Sequence, residues 1–244
     1  MFDRKFEATF TYGLIPSKDK CLKFSEKDLF SDDLCKYIIL RKIRLWYGSP
    51  KQGNKKIKDK CKCVLGIQCE YQDLTTGSRK STGQYCGELS SDDIEIKELD
   101  LKNNDYFNKF NIDFDDLNDY IITHLKFASK KGKSIEVGKE TEFTKKTAIL
   151  NNIEDVMIHS FAGYYDIYGL RALRCKYIKR KDFIFCNIFD FLRLRHLFKI
   201  NDKERKKLED PQEIAKLSNK MGAIAKLCTF TDEIFISILK YLIV

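Results

Sequence analysis

The sequence predicts a mainly β protein with a C-terminal α-helical extension, and three observations lead to this fold class. Apolar and polar residues alternate in runs of strand length, most clearly over Ile121–Phe127. Two further apolar runs, Val156–Ala162 and Leu170–Ile178, are separated by Gly163 and Gly169. Beyond residue 180 the apolar residues instead recur at helical spacing. A few short strands cannot form a stable domain alone, so the strands upstream must belong to the same domain.

The strands before residue 120 follow the same period of two. The N-terminal run Phe6–Tyr12 alternates, and Ser25 is placed to begin a short helical turn. Thr75–Gly77 forms a turn between the two arms of a hairpin. One face of the first long strand consists of Ile43, Leu45 and Tyr47, and one face of the next consists of Cys61, Cys63, Leu65, Ile67, Cys69 and Tyr71.

The alternation of residues in the central strand predicts which of its two faces is buried. Ile121, Thr123, Leu125 and Phe127 share one side, whereas His124 lies opposite with Ile122 and Lys126. A turn at residues 131–133 leads to a second arm with Ile135 and Val137.

The C-terminal quarter of the chain is predicted to be helical. Asp210 and Pro211 are typical of a helix start, and an apolar stripe runs from Ile214 to Cys228. A last short helix begins near Thr231. The apolar stripe is placed either to cap the open end of the β domain or to dock on another protein. Four side chains of the last helix are the candidate partner-binding residues, together with Tyr168: Ile234, Ile238, Tyr241 and Leu242. We therefore expect an N-terminal extension over residues 1–23, a β domain over 24–180 and a helical extension over 181–244.

Composition indicates a folded protein with a basic surface. The 244 residues are 43% hydrophobic and 13% aromatic, which argues against disorder. The formal net charge of +9 is compatible with a nucleic-acid partner, but the basic and acidic residues are mixed, which favours a solvated lysine-rich surface. Arg174, Lys176, Lys179, Arg180 and Lys181 form one basic patch, and a second follows over residues 193–207.

No secretory signal or membrane-spanning run is recognisable, and the nine cysteines lack the spacing of a disulfide framework. These features predict a cytoplasmic, reducing location. Cys61, Cys63, Cys69 and Cys86 are candidate zinc ligands, but their place on strand faces favours core packing. His124, His159 and His196 do not form a catalytic set, so no enzyme, metal or cofactor is expected.

Five segments occur in the order seen in one known family. The matching residues are Gly48; Ile67, Gln68 and Tyr71; Leu125 and Phe127; Phe161 and Gly163; and Leu170, Ala172 and Leu173. In this order they resemble the jacalin-related lectins over about residues 24–180. The resemblance implies a β-prism, which has three Greek-key sheets around a pseudo-threefold axis.

The resemblance also implies a sugar site, at which this chain departs from the family. The family holds sugar hydroxyls with an aspartate near the start of the last strand and a glycine near the N-terminus. Arg171 stands at the aspartate position, and Leu22–Phe30 contains no glycine. A guanidinium only donates hydrogen bonds, so it cannot replace a carboxylate acceptor. Asp166 is the substitute acceptor, in a loop with Gly163, Tyr164 and Tyr165, which form the candidate carbohydrate site.

Three functions follow from these observations. The altered sugar site favours a non-catalytic adaptor or structural subunit that binds other protein subunits. The first alternative is an active lectin that binds glycans through Asp166 and the tyrosines. The second is a nucleic-acid-associated subunit, which depends on charge alone.

Overall fold

The described part of the protein consists of three antiparallel sheets. The computed structural model describes residues 7–8, 12–13, 21–26, 38–50, 62–74, 77–89, 93–102, 105–115, 121–139, 147–149 and 155–180. The predicted mainly β, three-sheet fold is confirmed over these residues. The predicted helical extension over 181–244 lies outside them.

Sheet I contains β4 (Ile38–Gly48), β5 (Cys63–Asp73), β6 (Arg79–Ser81), β7 (Tyr85–Cys86) and β8 (Glu95–Asp100). Its order is β6-β5-β4-β8, and β7 also pairs with β5. Sheet II contains β9 (Phe107–Asp115), β10 (Ile121–Ser129), β11 (Ser134–Val137) and β12 (Thr147–Ile149), in the order β11-β10-β9-β12.

Sheet III joins the two ends of the described chain. It contains β1 (Glu7–Ala8), β2 (Tyr12–Gly13), β3 (Leu22–Ser25), β13 (Val156–Asp166) and β14 (Gly169–Lys179). Its order is β1-β14-β13-β3, with β2 also paired to β14. Ser25, which the sequence predicted to begin a short helical turn, is the last residue of β3, and Glu26 directly after it is 3₁₀-helical. The rest of the predicted turn lies outside the described residues.

The core lies where the inner faces of the three sheets meet. Phe127 of sheet II is fully buried there. Its ring stacks on Phe110 with centroids 5.1 Å apart and meets Phe161 of sheet III edge-on at 5.3 Å. Leu45 and Ile43 of sheet I belong to the same cluster. Burial of these large apolar side chains is the main favourable term for the fold.

Each sheet is built on one long hairpin, β4–β5, β9–β10 or β13–β14, and each hairpin has a β-bulge in both strands. In every second strand the extra residue is the third one: Leu65 in β5, Thr123 in β10 and Arg171 in β14. The first strands have theirs at Arg41, Asn108 and His159. The bulges thus occur at equivalent positions in the three hairpins, as a pseudo-threefold arrangement of the sheets requires.

The bulges change which side chains reach the core. An extra residue reverses the alternation of faces beyond it. Val64 therefore joins the main core, whereas Cys63 and Leu65 pack in a separate cluster with Trp46. The predicted single face from Cys63 to Tyr71 is wrong for this reason.

The same reversal occurs in β10 at Thr123. Ile122, which the sequence placed opposite the core, packs in the main core with Leu125 and Phe127, and Ile121 packs elsewhere.

Candidate functional site

The turn between β13 and β14 is held in place by sheet I. Asp166 pairs with Gly169, leaving a two-residue loop. Gly169 has φ 136°, and a Cβ there would lie 2.8 Å from the Val64 carbonyl oxygen, so only glycine is compatible with the turn. The Glu88 N–H donates to the Ile167 carbonyl at 2.9 Å. The turn is therefore packed against and hydrogen-bonded to the part of the chain that contains sheet I.

Asp166 and Arg171 form a nearly buried ion pair at this turn. Arg171 is the bulged residue of β14, and its Nε donates to Asp166 Oδ2 at 2.8 Å. The Tyr168 N–H donates to Asp166 Oδ1, also at 2.8 Å. The side chains of Arg171 and Asp166 are only 6% and 10% exposed. The Cys21 thiol also donates to Oδ2, at 3.9 Å, so three donors fix the orientation of the carboxylate.

The predicted tyrosines do not share one loop. Tyr164 and Tyr165 are half-buried residues of β13, and only Tyr168 lies in the turn. The ring centroid of Tyr165 lies 6.2 Å from those of both Phe24 and Tyr85. Tyr165 is thus partly a packing residue. The Arg171 guanidinium lies 5.6 Å from the Tyr168 ring centroid, within the range of a cation–π contact.

Gly163 is needed for close packing between strands. A Cβ at this position would lie 2.2 Å from the Ala172 carbonyl oxygen and 2.8 Å from the Phe24 ring. Its role in the structure is to let Phe24 of β3 approach β13, which brings β3 beside the turn.

Sequence reasoning missed two apolar side chains at the rim of this site. Leu22 of β3 is 62% exposed and Ile167 of the turn is 52% exposed. Leu22 pairs with Tyr165, and Tyr165 precedes Ile167 by two residues in the chain. The signal in the sequence was an isoleucine in a two-residue turn, a position where polar residues and glycine are usual.

The other predicted sites have different outcomes. The partner-binding residues Ile234, Ile238, Tyr241 and Leu242 lie outside the described residues. Cys63 and Cys69 are buried free thiols, and the described ranges contain no group of three or more potential metal ligands. Nor does any helix within those ranges have the length and apolar character needed to cross a membrane.

His124 is buried rather than exposed. Its Nδ1 lies 2.8 Å from Asp113 Oδ2, and its Nε2 lies 2.9 Å from Glu136 Oε1. Lys126, which contacts Glu136 at 2.7 Å, and then His124 hold the pKa of Glu136 below its ordinary value. This cluster links β9, β10 and β11 of sheet II, which is a structural role.

A model of the jacalin-like lectin domain family matches residues 45–173, more than half of the chain. The protein belongs to the jacalin-like lectin family. The match contains both Asp166 and Arg171, so the ion pair lies within the jacalin-like domain. In this jacalin-like protein, the bulged Arg171 is the third residue of β14.

Solved structures similar to this jacalin-like chain are lectins of low sequence identity. Single-chain recombinant jacalin is 16% identical, with 71% of this chain and 95% of that chain covered and a TM-score of 0.49. The artocarpin–mannotriose complex is also 16% identical, with 72% and 99% covered and a TM-score of 0.47. A mannose-binding jacalin-related lectin from Ananas comosus is 12% identical, with 71% and 98% covered and a TM-score of 0.47. No curated protein matches the sequence.

Proposed function

We propose that this jacalin-like protein is a non-catalytic carbohydrate-binding protein whose site is the β13–β14 turn. The observation that carries the proposal is the orientation of the Asp166 carboxylate by Arg171 and by the Tyr168 N–H, at a turn within the range that the jacalin-like lectin model matches. The adaptor function that the sequence favoured has less support, because the family match points to carbohydrate.

The Asp166 carboxylate provides the hydrogen-bond acceptor for sugar hydroxyls that the Arg171 guanidinium cannot provide. Each carboxylate oxygen accepts more than one hydrogen bond, so the oxygens that Arg171 and Tyr168 contact retain capacity for sugar hydroxyls. Arg171 acts as a positioning residue, since its Nε holds Oδ2 in a single orientation. The bulge is what directs the guanidinium towards Asp166.

The apolar rim provides the second kind of contact that a sugar needs. A pyranose ring presents C–H groups as well as hydroxyls, and sugar sites in general combine apolar surface with a few oriented polar groups. Ile167 and Leu22 are exposed beside Asp166 and can contact the C–H face.

A glycan array with the full chain tests the proposal. The wild-type protein should bind at least one glycan, in competition with the free sugar. Asp166→Asn should weaken binding about tenfold or more, since a charged acceptor is lost. Because Asp166→Asn also leaves Arg171 unpaired, Ile167→Glu is the second variant: it blocks the rim with an exposed side chain and leaves the ion pair intact.

Asp100→Asn is the matched control. Asp100 lies opposite Lys42, towards the end of sheet I remote from Cys63, which contacts the turn. Its substitution should therefore leave glycan binding unchanged. Circular dichroism would verify that each variant is folded. Failure of the folded wild-type protein to bind any glycan, or binding that neither Asp166→Asn nor Ile167→Glu reduces, would contradict the proposal.

A protein partner is the second candidate function. Leu22, Ile167 and Leu89 are exposed, at 62, 52 and 40%. The Glu88–Ile167 hydrogen bond places Leu89 near the turn. Exposed apolar groups of this kind also occur in protein interfaces.

A cytoplasmic location is part of the proposal, in keeping with the free thiols of Cys21, Cys63, Cys69, Cys86 and Cys175.

A further inference from the structure

The outer face of sheet I has its basic residues neutralised by acidic neighbours. Lys42 and Arg44 of β4 both contact Glu98 of β8, at 3.0 and 2.8 Å. Arg79 of β6 contacts Asp100 at 2.8 Å. This pattern is typical of a solvated surface whose charges are balanced by exposed ion pairs.

Sheet III has a different distribution of charge. Strand β14 contains four basic residues and no acidic residue. The acidic residue of β13 is Asp166, which Arg171 already contacts. Strand β3 adds Lys23 and no acid, and Glu26 immediately after it is fully buried in the core. The strands β3, β13 and β14 therefore carry an excess of positive charge.

Lys23 and Arg174 lie on the outer face of sheet III. Arg174 is opposite Ala162 of β13, which is opposite Ser25 of β3. Lys23 is two residues before Ser25 and therefore on the same face, and both Lys23 and Arg174 are exposed. Strand spacing places their Cα atoms about 12 Å apart.

Ala162 and Tyr164 of the intervening strand β13 lie between these two residues. Ser25 lies beside Lys23 on β3 and opposite Ala162. We call the surface formed by Lys23, Ser25, Ala162, Arg174 and Lys176 the basic face.

The basic face begins at the proposed sugar site. Lys23 is one residue from Leu22 and lies opposite Tyr164, and Arg174 is three residues beyond Arg171 on β14. A saccharide whose terminal unit contacts Asp166 can therefore continue onto the basic face.

We infer that the ligand is an acidic glycan, whose carboxylate or sulfate groups contact Lys23 and Arg174 on the basic face while a sugar unit contacts Asp166. The inference rests on the proposed carbohydrate function. The guanidinium of Arg174 matches the geometry of a carboxylate or sulfate, with two parallel N–H donors. Exposed basic residues such as Lys23 and Arg174 also raise the local concentration of anionic ligands and accelerate association.

The test compares two doubly substituted proteins of equal net charge. Lys23→Ser/Arg174→Ser removes the basic face, and Lys42→Ser/Arg44→Ser removes two basic residues of sheet I. Binding of the full chain is measured against four probes: a sulfated oligosaccharide, a uronic-acid oligosaccharide, a neutral oligosaccharide of equal length and a single-stranded RNA of equal charge. Each titration is performed at low and at physiological salt.

The wild-type protein should bind an acidic oligosaccharide more tightly than the neutral one, and the ratio should fall with added salt. Lys23→Ser/Arg174→Ser should weaken acidic binding about tenfold, roughly threefold for each exposed ion pair that is lost, whereas the sheet I variant should change it less than about twofold. The sulfated and uronic-acid arms identify which anionic group is bound.

Several outcomes would overturn the inference. Equal losses in the two variants would mean that only net charge matters. RNA binding as tight as acidic-glycan binding, with the same dependence on Lys23 and Arg174, would assign the basic face to nucleic acid. Neutral binding that needs Asp166 but no preference for acidic probes would refute the inference and leave the proposed function standing. Acidic binding that needs Lys23 and Arg174 but not Asp166 would instead refute the proposed site at the turn.

Discussion

Raising the pH from 4.5 to 7 is expected to destabilise the fold through one buried carboxyl group, that of Glu26. This residue follows β3 and has no exposed surface. The Tyr71 hydroxyl and the Phe161 N–H both donate to its Oε2, the latter at 2.7 Å. Burial disfavours the charged form more strongly than these bonds favour it, which raises the pKa of Glu26 from its ordinary value of 4.5 to about 7.

The sign and size of the effect follow from proton linkage. Between pH 4.5 and 7 the folded protein holds a proton on Glu26 that the unfolded chain has released. The free energy of unfolding therefore falls as the pH rises through this window, by about 1.4 kcal/mol per pH unit and about 3 kcal/mol in total. The contribution of Glu26 is constant below and above the window.

Urea unfolding of the wild-type protein and Glu26→Gln at a series of pH values would measure the effect. Glutamine keeps an oxygen that accepts from Tyr71 and Phe161 but cannot ionise. The free energy of unfolding of Glu26→Gln minus that of the wild type should rise by about 3 kcal/mol between pH 4.5 and 7. The buried amide adds a cost that does not vary with pH, so the slope is the decisive quantity.

Glu98→Gln is the control for this experiment. Glu98 is exposed, and its hydrogen bonds with Arg44 and then Lys42 lower its pKa. Its contribution to stability is present above pH 4.5 and lost as the pH falls further, so this variant should show no slope in the window. A pH-independent difference between Glu26→Gln and the wild type would refute the reasoning.

Three further substitutions should differ in their effect on the free energy of unfolding, measured by urea titration. Gly163→Ala should cost about 1–3 kcal/mol or more, because its Cβ would lie 2.2 Å from the Ala172 carbonyl oxygen. Phe127→Ala should cost about 3–5 kcal/mol, because its fully buried ring packs between sheets II and III. Arg79→Gln should cost less than about 1 kcal/mol, and less still in high salt, because its ion pair with Asp100 is exposed. A larger loss for Arg79→Gln than for Phe127→Ala would contradict this ranking.

The strands were predictable because their period of two is local. Ile43 and Leu45 lie in the core as the alternation predicts, and so do Leu125 and Phe127. The faces of β5 and β10 were partly mispredicted because Leu65 and Thr123 are bulged. A bulge is defined by the residues on the partner strand, and single-strand alternation contains no information about them.

The candidate site was predictable in its residues but not in its geometry. The order of motifs indicated that Arg171 replaces an aspartate and that Asp166 is the nearest substitute. The contact between them depends on the bulge at Arg171 and on the turn at Gly169, which packs against Val64 of a different sheet. Leu22 joins the site because β3 pairs with β13, more than a hundred residues later in the chain.

The sequence by itself determined the fold class, the family resemblance and the excess of basic residues, because these depend on composition, alternation and motif order. Only the tertiary structure decided which charges are neutralised. Arg44 and Glu98 are 54 residues apart and meet because β4 pairs with β8. Arg174 lies on a face where β13 and β3 bring no exposed acid. Coulomb energy depends on distance in space, and the spacing of residues along the chain does not fix that distance.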